Sequence, residues 1–182
     1  MAESKFPSEV IDLPSGGKCY PEDSPLHSGK IEVKYMTAKE EDILTSQNLI
    51  KKGIVIDRLL DSLILTEGIT SDDLVLGDKN AVMVTARILA YGPEYTCEIE
   101  NPNGGGKFTH SFNLAECPFK ELPSDIDYST NNWEITLPAS KKKVTVKLLT
   151  GGDEKAIQKD LDATKKVSGL SSSEITTRLR YL

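Results

Sequence analysis

The sequence predicts an α+β chain, a small mixed sheet packed on helices. Short runs alternate apolar and polar residues at 31–35, 95–99 and 108–114, the period of a half-buried strand. Elsewhere apolar residues recur at helical spacing, Ile56, Leu59, Leu60, Leu63 and Ile64 being the clearest set. The order strand, helices, hairpin, strand pair, helix is that of an α+β domain.

Residues 1–29 read as an extended Pro/Gly-rich arm. Pro7, Pro14, Pro21 and Pro25, with Gly16, Gly17 and Gly29, exclude a helix and leave room for one short strand around Val10, Ile11 and Leu13. Residues 30–182 read as a single α+β domain. It opens with a strand, where Ile31, Val33 and Tyr35 alternate with Glu32 and Lys34. Thr37 then caps a helix from Ala38, and Glu40 at its third position completes a capping box. Asn48 starts a short turn that Gly53 ends, and the amphipathic helix from Ile56 follows. Residues 81–91 are apolar on nearly every side except Arg87, which predicts a mostly buried helix. Gly92-Pro93 ends it.

Tyr95, Cys97 and Ile99, then Phe108, His110, Phe112 and Leu114, alternate with polar residues on either side of a glycine turn, and so predict a β-hairpin within a subregion at 94–123. Pro118 and Pro123 mark a loop. Residues 133–137 and 144–148 predict a second strand pair joined through Pro138 and Lys141-Lys142-Lys143, a basic triplet that solvates a turn. A helix over 153–167 has acids at its start and Lys165-Lys166 at its end, matching the dipole, with Gly169 as its stop. Ser171-Ser172-Ser173-Glu174 offers a further cap, whereas Ile175-Thr176-Thr177 is β-branched and favours strand, so 174–182 receives no assignment. Arg178-Leu179-Arg180-Tyr181-Leu182 stops in mid-pattern, and the domain is read as shortened at its C-terminus.

Composition narrows function. Of 182 residues 38% are hydrophobic and 27% charged, which excludes collagen-like, disordered and membrane-spanning classes. Lys and Arg number 22 against 28 Asp and Glu, and a net charge of -6 argues against nucleic acid and anionic lipid as partners. The start of the chain lacks the apolar stretch of a secretory signal. Cys19, Cys97 and Cys117 cannot all pair and read as reduced thiols.

Catalytic constellations do not stand out. His27 and His110 are the two histidines, the first in the arm and the second on the strand face of Phe108 and Phe112. Gly104-Gly105-Gly106-Lys107 lacks the spacing of a phosphate loop, and Asp72-Asp73 and Asp125-x-Asp127 lack that of a calcium loop. The turn Asn101-Pro102-Asn103-Gly104-Gly105 has the shape of Cys-Pro-x-Cys-Gly with both sulfur positions replaced. It therefore reads as a zinc-ribbon-like β-hairpin lacking its cysteines, and no metal or other cofactor is expected.

The run Lys34-Tyr35-Met36-Thr37-Ala38-Lys39-Glu40-Glu41-Asp42-Ile43-Leu44, followed by Asn48-Leu49-Ile50-Lys51-Lys52-Gly53, resembles a family of baseplate hub and hub-assembly proteins of T-even-like contractile-tailed bacteriophages. Gly77-Asp78-Lys79-Asn80, Arg87, Tyr91-Gly92 and Thr176-Thr177-Arg178-Leu179 are consistent with it. The resemblance is dense over 30–92 and sparse elsewhere, and relatives often carry cysteines in the hairpin turn.

It implies a non-enzymatic tail-assembly protein that works by protein-protein contacts with other phage baseplate or tail proteins. It also implies residence in the host cytoplasm during assembly, and leaves open whether the protein stays in the virion tail baseplate or departs once assembly is done. Tyr35, Met36, Lys39, Glu40, Glu41, Asp42, Lys51 and Lys52, where the resemblance is densest, are the candidate interface. Two alternatives stand beside it. One is a zinc-ribbon-like nucleic-acid-binding module that has lost its metal; the other is a small hydrolase using His110 with Cys97 or Cys117.

Overall fold

The computed structural model describes residues 6–102, 104–120, 122–168 and 174–182, the side chains of 165–168 excepted. The α+β class holds: six α-helices accompany six strands among these residues. The strands do not join into one sheet. They form three separate antiparallel pairs, held apart by the helical stretch that ends at Tyr91 and by the proline-containing loop before Trp133.

β1 (Ser8–Asp12) pairs with β2 (Lys30–Lys34), placing Ile11 opposite Ile31. The intervening segment is folded, not extended. Leu13 donates its N–H to the Gly29 carbonyl at 2.8 Å, and a 3-10 turn at Pro25–Ser28 is capped by Ser24. At Gly17 φ is +81°, and a Cβ there would lie 2.2 Å from the His27 carbonyl oxygen. These turns aim Ile11, Leu13, Cys19, Tyr20 and Leu26 inward, where they share one core with Val33, Leu60, Leu63, Leu74 and Val82. Residues 6–29 of the expected arm are thus an integral layer of the domain. Closely spaced prolines forbid a helix, but a chain of turns buries apolar side chains just as well.

The second edge of β2 is covered as well. Val33 bridges Ile64, and Leu65 donates its N–H to the Glu32 carbonyl at 2.9 Å. α1 (Ala38–Thr45), α2 (Gln47–Lys51) and α3 (Val55–Leu63) follow, with α1 packed on α3. α3 buries Leu59, Leu60 and Leu63, each contributing on the order of 1.5–3 kcal/mol of hydrophobic stabilisation.

α4 (Leu76–Tyr91) starts a turn and a half before the apolar run that predicted it. Its first turn is fixed by Asp78, a fully buried carboxylate that accepts from the Ser15 N–H at 2.9 Å, the Ser15 hydroxyl at 2.6 Å and the Tyr20 hydroxyl at 2.7 Å. The Tyr20 oxygen in turn accepts from the Val75 N–H. Burial and the neighbouring carboxylate push the Tyr20 phenol far above its usual range. α4 is less buried than its composition predicts: Asp78, Ala81, Val82 and Ala86 are enclosed, while Met83 and Tyr91 face solvent.

β3 (Glu94–Glu100) and β4 (Lys107–Asn113) form the expected hairpin, and β5 (Trp133–Thr136) pairs with β6 (Lys143–Val146). α5 (Gly151–Ser168) begins where Thr150 and Asp153 cap one another. Gly169 and residues 171–173, expected to stop and restart helix, lie outside the described residues. α6 (Glu174–Leu179) is helical despite its β-branched run, because Arg178 clamps both Glu154 carboxylate oxygens, at 2.6 and 2.8 Å, and pairs with Glu174. Among the described residues no helix is long and apolar enough to cross a membrane.

Candidate protein-interaction surface

The residues singled out from sequence divide sharply. Lys39, Glu41, Asp42, Lys51 and Lys52 are exposed on α1 and at the end of α2. Tyr35 is half-buried and donates its hydroxyl to Glu9 at 3.0 Å, a hydrogen bond that raises its pKa. Met36 is half-buried against the core.

Glu40 is the exception. Its side chain is fully buried, so it cannot serve as a contact residue. It accepts from Lys34 Nζ at 2.8 Å, Ser62 Oγ at 2.7 Å, the Thr37 N–H at 3.0 Å and the Thr37 hydroxyl. Burial alone would raise its pKa, but the hydrogen bonds from Lys34, Thr37 and Ser62 outweigh that and lower it to about 2. The Lys34 head lies 5.0 Å from the Phe6 ring centroid. The residues that carry the resemblance therefore include a buried ion pair joining β2, α1 and α3.

A more continuous surface lies on the hairpin. The register sets Tyr95 opposite Phe112, Cys97 opposite His110 and Ile99 opposite Phe108. Because strand side chains alternate, these six share one face, and Glu94, Glu98, Glu100 and Lys107 share the other. The period-two alternation predicts half-buried strands here, with this face packed. Instead its aromatics face solvent, with Tyr95 44%, Phe108 46% and Phe112 40% exposed; among the described residues no third strand joins the pair.

His110 sits edge-on between the two phenylalanines, with ring centroids 4.6 Å from Phe112 and 6.3 Å from Phe108. The face continues onto α4. Arg87 stacks over Tyr91 at 4.9 Å and reaches Tyr95 at 5.9 Å, while donating to the Gly92 carbonyl at 3.1 Å. Arg87 thereby ties the helix end to the start of β3. Beside it, Ala81, Val84 and Ile88 of α4 and Leu114, Phe119 and Leu122 of the following loop line an open apolar groove of about 970 Å³.

An exposed aromatic face flanked by an arginine is suited to burial against another protein, because burying it releases water from large rigid side chains at little entropic cost. It suits catalysis poorly. Cys97 and His110 are cross-strand neighbours, yet neither lines the groove. Cys117 is exposed and lines the groove, but neither His27 nor His110 lines it. Among the described residues no group of three or more histidines, cysteines or acids is gathered to hold a metal ion.

Sequence reading missed this face because alternation reports which residues share a side, not what covers that side. The available signal was the isolation of the hairpin between Gly92-Pro93 and a proline loop, with no strand pattern next to it. Compared with family models, curated proteins and solved structures, the chain finds no match in any of the three.

Proposed function

We propose that this chain is a non-enzymatic, protein-binding component of phage tail assembly, a baseplate hub protein or hub-assembly factor. It engages another baseplate or tail protein through the aromatic face of the β3–β4 hairpin. The observation that carries the binding role is the exposed set Tyr95, Phe108 and Phe112, continued by Arg87 and Tyr91. The assignment to tail assembly rests on the resemblance over residues 34–53. The exposed charges Lys39, Glu41, Asp42, Lys51 and Lys52 are a secondary contact in this proposal, set on helices held by the buried Lys34–Glu40 pair.

Replacing Phe108 and Phe112 together by serine tests the reading. The variant keeps the core intact, because neither ring is part of it. Sedimentation of tail precursors from cells making this variant is expected to show the protein outside baseplate complexes and assembly stalled. Unchanged incorporation and unchanged tail yield would refute the proposal.

A further inference from the structure

The backbone of β3 has an open side whose chemistry selects a particular kind of strand. In an antiparallel ladder, alternate residues exchange both backbone bonds with the partner strand, and those between them turn theirs outward. Leu114 donates its N–H to the Pro93 carbonyl at 2.9 Å and Asn101 donates to the Gly106 carbonyl at 3.0 Å. With Glu94 opposite Asn113, this parity assigns Tyr95, Cys97 and Ile99 to bonding with β4. The N–H and C=O groups of Thr96, Glu98 and Glu100 point away from it.

The Glu94 carbonyl, at the head of that edge, already accepts from Arg87 Nη2 at 3.5 Å. Beyond it, β3 pairs with β4 alone among the described residues. The side chains on the two sides of this edge differ in kind. Tyr95, Cys97 and Ile99 present apolar surface, while Glu94, Glu98 and Glu100 present three carboxylates with no ion-pair partner among the described residues. β4 offers no such field, its polar side carrying Lys107, Thr109, Ser111 and Asn113.

We infer that β3 accepts a third strand from a partner protein, an extended segment that alternates apolar residues with lysine or arginine. Its apolar residues extend the aromatic face, and its basic residues lie across from the glutamates. Cross-strand neighbours of opposite charge stabilise a sheet, and like charges there oppose pairing. Main-chain bonds to Thr96, Glu98 and Glu100 supply affinity, and the alternation supplies specificity. Sheet edges are ordinarily blunted by charged side chains, proline or a bulge; β3 has no proline or bulge over Glu94–Glu100, and its glutamates repel acidic strands while admitting basic ones. This rests on the reading of the hairpin as a protein-binding element and specifies its partner.

The test uses the full chain with two short synthetic peptides, one alternating valine with lysine and one alternating valine with glutamate. The lysine peptide is expected to bind about 10-fold or more tighter. It should also slow amide exchange at Thr96, Glu98 and Glu100 while leaving Tyr95 and Cys97 unchanged. Glu98→Pro removes one outward N–H and no bond to β4, and is expected to abolish binding, whereas Glu98→Ala retains most of it.

Equal affinity for the two peptides, measured on the unaltered protein, overturns the inference whether or not the proline variant folds. So does equal binding by Glu98→Pro and Glu98→Ala. Concentration-dependent protection of the same amides without peptide would assign the edge to a second copy and overturn a partner strand. If Phe108→Ser with Phe112→Ser stalls assembly and Glu98→Pro does not, the aromatic face stands and strand addition falls.

Discussion

Glu40 is closed off from solvent, so its charge is tolerated because four donors converge on it. Removing the charge strands the Lys34 ammonium, itself 7% exposed, whose ion pair among the described residues is with Glu40. Glu40→Gln is expected to cost about 3 kcal/mol at neutral pH, read from urea midpoints. The pH dependence has a definite sign. The folded carboxyl titrates near 2 against an ordinary value of 4.5, so the folded state binds fewer protons than the unfolded one between these limits. Its stabilisation is complete above pH 4.5 and is lost as pH falls toward 2. The stability gap between native protein and Glu40→Gln should therefore narrow over that window; a gap that stays constant would show that Glu40 is not held ionised by these partners.

Among the elements, α5 is seated by a single hydrogen atom. A Cβ on Gly151 would stand 2.1 Å from the Ser71 carbonyl oxygen, a backbone atom that cannot swing away. The helix start is already tied there, with Gly151 donating to the Leu74 carbonyl and Thr150 bridging Val75. Gly151→Ala is expected to destabilise by about 3 kcal/mol through this clash, lowering the calorimetric midpoint, while Gly152→Ala, whose nearest neighbour is at 3.5 Å, changes it little.

Local chemistry made some elements readable and left others hidden. Thr37 and Glu40 announced α1 because the capping box is a contact within one turn. The hairpin was legible because period-two alternation and a glycine turn are both local. α6 was not, since the bond that stabilises Ile175-Thr176-Thr177 as helix comes from Glu154, 24 residues away from Arg178. The early start of α4 was hidden for the same reason: Ser15 and Tyr20 hold Asp78 from far along the chain. The candidate surface fell between the cases. Alternation put its residues on one side of each strand, but exposure depends on what the rest of the molecule fails to bring.

For the molecule as a whole, the layer formed by residues 6–29 changes what truncation should do. A detachable arm would leave a folded remainder with weakened binding. Here removal of residues 1–29 takes Ile11, Leu13, Cys19, Tyr20 and Leu26 from the core and uncovers β2. The shortened chain is expected to lose its cooperative thermal transition, followed by circular dichroism; a sharp melt near that of the full chain would restore the arm as a separate unit.

The Tyr20–Asp78 contact also orders events during synthesis. Chains emerge from the ribosome from the N-terminus, and domains fold as their parts become available. β1 and β2 can pair once residue 34 is out, yet the Tyr20 hydroxyl and the Ser15 amide find their acceptor 58 and 63 residues later. Through that interval the earliest-made segment is a nascent surface, with apolar side chains uncovered until α4 arrives to seal them. Translation of the stretch between Tyr20 and Asp78 is thus the period when this protein is most exposed to chaperone capture and to misassociation.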